Sequence, residues 1–189
     1  MELPMKRLQL FLLFCLAAFS SYLIYQKVSI LTLPSSFQID NFNYDQDIDI
    51  ITQLTKDNWA FLAPNTPYNP TLIDIHFKDQ TSLNFYPKKV IIKVLKKDSK
   101  VIGFVTYIMA TDTVGHIELL AIDSKQQHHG YGTQLVNFAI NDLKNNGAQS
   151  IEIYVMQENT KAQQLYNKLS FACSEFLEQM KVFRYTKKL

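Results

Sequence analysis

Between residues 117 and 146 the apolar repeat changes period across a loop that holds two of the chain's five glycines, and this narrows what the chain can fold into. HIELLAI (116–122) is apolar and β-like, whereas Val136, Ala139, Ile140 and Leu143 recur at i, i+3, i+4 and i+7, as on one face of a helix. Gly147 stands where that helix should stop. Between the two lies Gln127-His128-His129-Gly130-Tyr131-Gly132. Glycines at a strand-to-helix turn permit a tight reversal and let a ligand approach the main chain. The first amides of the helix have no partner within it and stand at the positive end of its dipole, which suits a pyrophosphate. Taken alone, the loop equally suits an ordinary tight turn. It is not a P-loop, because no Gly-Lys-Ser/Thr follows. Nor is it the full dinucleotide fingerprint, because Leu135 occupies the place of the third glycine.

The flanking sequence alternates strands and helices. Phe37–Phe42 predicts a first strand, and Asp45-x-Asp47-x-Asp49 opens a helix to about Leu62, with its acids toward the positive end of the dipole. Four prolines (64, 67, 70 and 87) make residues 63–87 a loop with room for one short helix. VIIKVL, the turn KKDSK and VIGFVTYIM predict a β-hairpin, and SIEIYVM another strand. Asn159 or Thr160 caps a helix that carries Ala162, Leu165, Tyr166 and Leu169 on one face. ACSEFLEQ and KVFRYTK close the chain as a second hairpin. The expected fold class is α/β: a mixed, mostly antiparallel central sheet flanked by helices, in one domain over residues 34–189.

Composition excludes some functions. The chain is 47% apolar and 13% aromatic over 189 residues, enough for one sizeable core. Setting aside residues 1–33 leaves sixteen basic and sixteen acidic side chains, so the body offers no electrostatic ground for binding nucleic acid. The lysines between Lys88 and Lys100 read as a solvated strand edge. Cys15 and Cys173 suggest neither a disulfide framework nor a metal site.

Residues 1–33 pose a separate question. LQLFLLFCLAAFSSYLIY (8–25) carries no charge, and its eighteen residues, at about 1.5 Å each, just reach across a hydrocarbon core of about 30 Å. It predicts one N-terminal apolar helix that serves as a single-pass membrane anchor. Ala18-Phe19-Ser20 also permits a cleaved signal peptide and a secreted body. Lys6 and Arg7 before the segment against Lys27 after it weakly favour export of the body.

IELLAIDSKQQHHGYGTQLVNFAI resembles the acetyl-CoA signature of the GNAT superfamily, Q/R-x-x-G-x-G/A between a strand and a helix, with Gln127, Gly130 and Gly132 in place. NTKAQQLYNKLSF is similar to the second signature of that family, with Asn159, Ala162, Leu165, Tyr166 and Phe171 in register and Ser170 replacing a common glycine. The resemblance covers residues 88–173 well and residues 37–87 only by element order. It implies a GNAT-type sheet and acetyl-CoA as co-substrate, with no metal. The strand at 116–122 should splay from the strand at 150–156, and Leu120, Ala121 and Ile122 should pair with the pantetheine arm. Gln127, His128, His129, Gly130, Tyr131, Gly132 and Thr133 should surround the pyrophosphate, and Asn159 should reach the cofactor directly or through water. Tyr166 should protonate the departing thiolate, since a phenol with an ordinary pKa of about 10 is protonated at neutral pH; without the motif it reads as a core tyrosine.

An attacking amine must be neutral, so a proton acceptor is needed. Strict alternation puts His116, Glu118 and Leu120 on one face of their strand, with Glu118 the first candidate and His116 the second. The resemblance therefore implies acetyl transfer to a small-molecule or peptide amine, with the body facing the cytosolic acyl-CoA. A silent acyl-CoA sensor at the membrane, or a longer-chain or aminoacyl donor, stays open. The acceptor region, including Asn58-Trp59-Ala60-Phe61 and Tyr68, shows no readable motif, and oligomeric state is not encoded legibly.

Overall fold

The computed structural model of the chain describes residues 37–63, 67–83 and 86–189. The apolar segment at 8–25 and Cys15 lie outside the described residues, among which no helix is long and apolar enough to cross a membrane. Described are strands β1 (Phe37–Asn41), β2 (Ile91–Lys97), β3 (Lys100–Met109), β4 (Val114–Ile122), β5 (Ser150–Met156), β6 (Ala172–Leu177) and β7 (Val182–Lys188). With them are helices α1 (Tyr44–Leu62), α2 (Pro70–Asp79), α3 (Tyr131–Asn145) and α4 (Thr160–Lys168). The strands form one sheet in the order β1-β2-β3-β4-β5-β7-β6, in which only the β4–β5 pair is parallel.

Local chemistry explains most boundaries. Asn43 caps α1 by accepting from the Gln46 amide at 3.2 Å, while Asp47 accepts from the Asn43 amide at 3.0 Å, a reciprocal cap. The same Asp47 is buried and pairs with Lys96 Nζ at 3.2 Å. Asp98 and Ser99 both take positive φ, which makes the two-residue turn of the β2–β3 hairpin. The region with four prolines contains a ten-residue helix after all. Pro70 occupies its first turn, where no amide is needed, and Asn69 caps it by accepting from the Leu72 amide at 3.1 Å.

Two apolar layers cover the sheet. Ile51 and Leu54 of α1, with Ile73 and Phe77 of α2, pack on Val94, Phe104 and Ile108. Leu135, Val136, Ala139, Ile140 and Leu143 of α3 pack in the other layer with Val105, Tyr107 and Ile117. Of these, Val136, Ala139, Ile140 and Leu143 are the positions that the helical repeat predicts, and Leu135 joins them. The lysine run departs from its expected place. Lys93, Lys96 and Lys97 lie on β2, an interior strand between β1 and β3, where Lys93 reaches Asn41 Oδ1 at 2.6 Å and Lys96 reaches Asp47. Lys88 and Lys89 precede that strand and Lys100 opens β3. The five-residue β1 is the edge instead.

Candidate active site

The site begins with a divergence. β4 and β5 pair only at Val114–Ser150, Gly115–Ile151 and His116–Glu152, then continue to Ile122 and Met156 without pairing to each other. Two clefts flank this split. The first, of about 450 Å³, is lined by Leu120, Ala121 and Ile122, the loop before α3, and α4. The second, of about 1090 Å³, is lined by residues 116–119 of β4, by Tyr154 and Met156 of β5, and by the α1–α2 region. Leu62, at the end of α1, lines both.

A bulge distributes β4 between them. Tyr107 of β3 lies opposite Ile117 and Thr106 lies opposite Leu119, so Glu118 is an extra residue without a partner on β3. Thr106 Oγ1 takes the Leu119 amide at 3.1 Å. Strict alternation therefore fails at Glu118. His116 and Glu118 line the second cleft and Leu120 the first, rather than all three sharing one.

In the first cleft, Gly130 is the N-cap of α3 with φ of 82°, and no side chain caps the helix, so its first amides are left for a ligand. His128 also has positive φ, at 66°, a strained setting for a residue that carries a Cβ. The Gln127 side chain holds the loop to the end of β4, its Nε2 donating to the Ile122 carbonyl at 3.2 Å. A Cβ placed on Gly132 would stand 3.4 Å from Leu165 and 3.9 Å from Leu120, ordinary contacts with two cleft-lining side chains. Asn159 is occupied structurally: its Oδ1 caps α4 through the Ala162 amide at 3.1 Å, and its Nδ2 reaches the Phe61 carbonyl at 3.3 Å. It thus ties α1 to α4 across the rim.

The second cleft has a built carboxylate. His76, fully buried on α2, has Nδ1 2.5 Å from the Thr81 carbonyl; the next residue, Ser82, donates its hydroxyl to Glu118 Oε1. Against a carbonyl Nδ1 must carry the proton, and burial lowers the His76 pKa, so the ring is neutral with Nε2 unprotonated. Glu118 Oε2 and His76 Nε2 are both buried without a hydrogen-bond partner among the described residues. His116 is 1% exposed, lies between the Tyr86 and Tyr154 rings at 5.4 Å from each centroid, and has Nδ1 3.7 Å from Glu152 Oε1.

Burial lowers the His116 pKa to about 4, so its imidazolium is penalised in the fold. An unfolded histidine titrates near 6.5, so between these values the unfolded state binds the extra proton. The stability contributed is present above about pH 6.5 and is lost as pH falls toward 4. It should amount to about 3 kcal/mol. Denaturant titrations at stepped pH should show this loss in the native chain and a shallower slope over the same window in a His116→Phe variant.

Tyr166 sits in the last turn of α4, 3% exposed, with its ring 5.6 Å from Phe171 and 6.4 Å from Tyr185. Its neighbours along α4, Ala162 and Leu165, line the first cleft, but Tyr166 itself is among the lining residues of neither. Burial raises its pKa well above the usual phenol value, so the hydroxyl keeps its proton throughout the neutral range.

Residues 51–171 match the model of the acetyltransferase (GNAT) family. The chain belongs to the GNAT family. It is 32% identical over 87 residues to the uncharacterized N-acetyltransferase YobR of Bacillus subtilis (strain 168), a stretch covering 46% of this chain and 34% of that protein. The chain thus spans about a third of the length of this curated relative. In fold it is similar to the PaiA N-acetyltransferase of Thermoplasma acidophilum, solved in complex with coenzyme A, at 18% identity and a TM-score of 0.63 over 82% of this chain and 99% of that one. It is also similar to YncA of Salmonella typhimurium, solved with acetyl-CoA, at 12% identity and a TM-score of 0.64 over 82% and 95%.

As a GNAT member the chain is one of a family of acyltransferases, and its GNAT-type sheet agrees with the sequence expectation. Of the residues expected to face the cofactor, all but His129 line the first cleft. The His129 ring is exposed, stacks on Tyr131 with centroids 5.7 Å apart, and has Nδ1 2.8 Å from the Gln127 carbonyl. Sequence reasoning placed Asn58 and Phe61 of α1 in the acceptor region and missed the two cations Lys161 and Lys168; all four line this cleft. The lysines' spacing of seven, two helical turns, was a usable signal. It also missed His76, Ser82 and Tyr86, whose roles depend on contacts between distant segments.

Proposed function

We propose that the chain transfers an acetyl group from acetyl-CoA to a primary amine by direct attack, with the co-substrate in the first cleft and the acceptor in the second. The observation that carries this reading is the β4–β5 split, with an uncapped helix N-terminus on one side and a buried-edge carboxylate on the other. The α3 amides and the side chains of Lys161 and Lys168 supply donors and positive charge for a pyrophosphate and a further phosphate. The unpaired flank of β4 offers main-chain groups to an amide-bearing arm. Glu118 takes a proton from the acceptor ammonium, the freed amine attacks the thioester carbon, the carbon–sulfur bond breaks, and the nitrogen sheds its second proton to solvent as the amide forms. Tyr166, behind the wall made by its helix neighbours Ala162 and Leu165, gives its proton to the leaving sulfur and is reprotonated from solvent. His116 serves as a neutral wall of the acceptor cleft, because burial opposes the charged form that a base must adopt.

Gly132→Val tests the first half of this reading. Its side chain enters the space between Leu120 and Leu165, so the folded variant should lose CoA affinity by at least about tenfold, a fraction of the cost of a misfit in a tight site. Calorimetric titration of the folded variant decides it: unchanged affinity removes the loop from the site.

The apolar run at 8–25 supports attachment to a membrane, with residues 34–189 on the cytosolic side where acyl-CoA is found. In spheroplasts, an externally added protease should leave the body intact. Digestion from outside would overturn this orientation and favour an exported body.

A further inference from the structure

The wall of the second cleft carries a charge pattern that bears on the acceptor. Among the described residues that line it, Glu118 is the one carboxylate, and there is no lysine or arginine. A second carboxylate stands just behind the wall. Glu152 accepts from Tyr86 Oη at 3.1 Å and lies 3.7 Å from His116 Nδ1. His116 brings no compensating charge, being buried and neutral. Arg184, which contacts Tyr154, is itself paired with Glu175 at 2.9 Å. Apart from the neutral amides of Asn69 and Gln179, the rest of the wall is apolar or aromatic. Trp59 and Tyr68 meet edge to face at 5.3 Å, and Tyr86 and Tyr154 flank the His116 ring. At the rim, Leu72 and Met180 are 45% and 57% exposed, apolar surface that an apolar ligand would remove from water.

Taking the second cleft as the acceptor site of the reading above, we propose that its substrate is a primary amine on an apolar body without a carboxylate, an arylalkylamine in the simplest case, and that free amino acids are rejected. The ammonium is drawn to Glu118 and its neighbouring aromatic rings before it gives up its proton. The body of the molecule displaces water from Trp59, Tyr68, Leu72 and Met180. A carboxylate on the same carbon as the amine would be carried into the cleft beside Glu118, with no cation to meet it. Like charges brought together in a binding site are a strong means of excluding a wrong partner.

The test compares pairs that differ only in that carboxylate: phenethylamine against phenylalanine and tryptamine against tryptophan, with spermidine as a polar-bodied amine. Using the full chain with acetyl-CoA, thiol release and the mass of the acetylated product give kcat/KM for each. The amines should exceed their amino acids by about a hundredfold or more. Parity within a pair, preference for the amino acid, or spermidine equal to phenethylamine overturns the proposal. Acetylation of neither amine by a chain that binds CoA also overturns it while leaving the co-substrate site standing. A chain that does not bind CoA refutes the transferase reading itself. Met180→Arg places a cation on the exposed rim and should narrow the phenethylamine-to-phenylalanine ratio by about tenfold. An unchanged ratio in that variant overturns the charge account.

Discussion

Replacing Glu118 with glutamine should lower kcat by about a hundredfold to ten-thousandfold, the usual weight of general acid–base catalysis, while CoA affinity stays as it was. Glutamine keeps the shape of the side chain, and its carbonyl oxygen can still accept the Ser82 hydroxyl, so the bulge and the cleft wall should survive. What it cannot do is take a proton. Steady-state kinetics beside calorimetry with CoA separate the outcomes. A raised KM with kcat intact would make Glu118 a docking group for the ammonium, and no change in either would remove it from the reaction. Ser82→Ala sharpens the test. Losing that donor frees the carboxylate to leave the position from which it meets the ammonium, so kcat should fall while CoA affinity holds. Unchanged kinetics would make Ser82 a structural residue only.

Tyr166→Phe should reduce kcat by about the same range, a hundredfold to ten-thousandfold. The phenyl ring preserves the contacts with Phe171 and Tyr185, so folding should be little affected. CoA affinity should also change little, because the hydroxyl acts on a thiolate that appears only as the carbon–sulfur bond breaks. The buried setting holds the proton on the phenol in the neutral range, as an acid requires. The deficit should shrink with acyl donors whose leaving thiol is more acidic, and a deficit equal for every donor would move the role elsewhere. Activity untouched with a lowered Tm would make Tyr166 a core residue and nothing more.

The parts of the fold that repeat locally were legible in the sequence. The α3 face at Val136, Ala139, Ile140 and Leu143, the hairpin around Asp98–Ser99 and the closing β6–β7 pair all follow from short-range pattern and turn chemistry. The one short helix allowed in residues 63–87 could not be positioned because the prolines read as breakers, although Pro70 directly after Asn69 is a start signal. The bulge at Glu118 was beyond reach, since it arises from how β4 meets β3 and leaves no mark in the alternation. That hidden residue reassigned Leu120 to a different cleft from His116. The loop at 127–133 could be located through its resemblance to a family signature, whereas the second cleft could not. Trp59, Tyr68, Tyr86 and Tyr154 come from four segments, and Ser82 becomes informative only when its hydroxyl is seen against Glu118.

The three residue pairs that join β4 to β5 have a mechanical consequence. They are the whole ladder between a four-stranded half, β1 to β4, and a three-stranded half, β5, β7 and β6. A sheet welded over so short a seam can part there at lower cost than anywhere else along its width. A ligand whose amide groups bond to the free flank of β4 while its phosphates sit on α3 works as a staple, lengthening the seam from outside the chain. Its binding free energy then adds to the cohesion of the fold. On the proposed reading, the rigidity of this sheet would rise with the supply of its co-substrate.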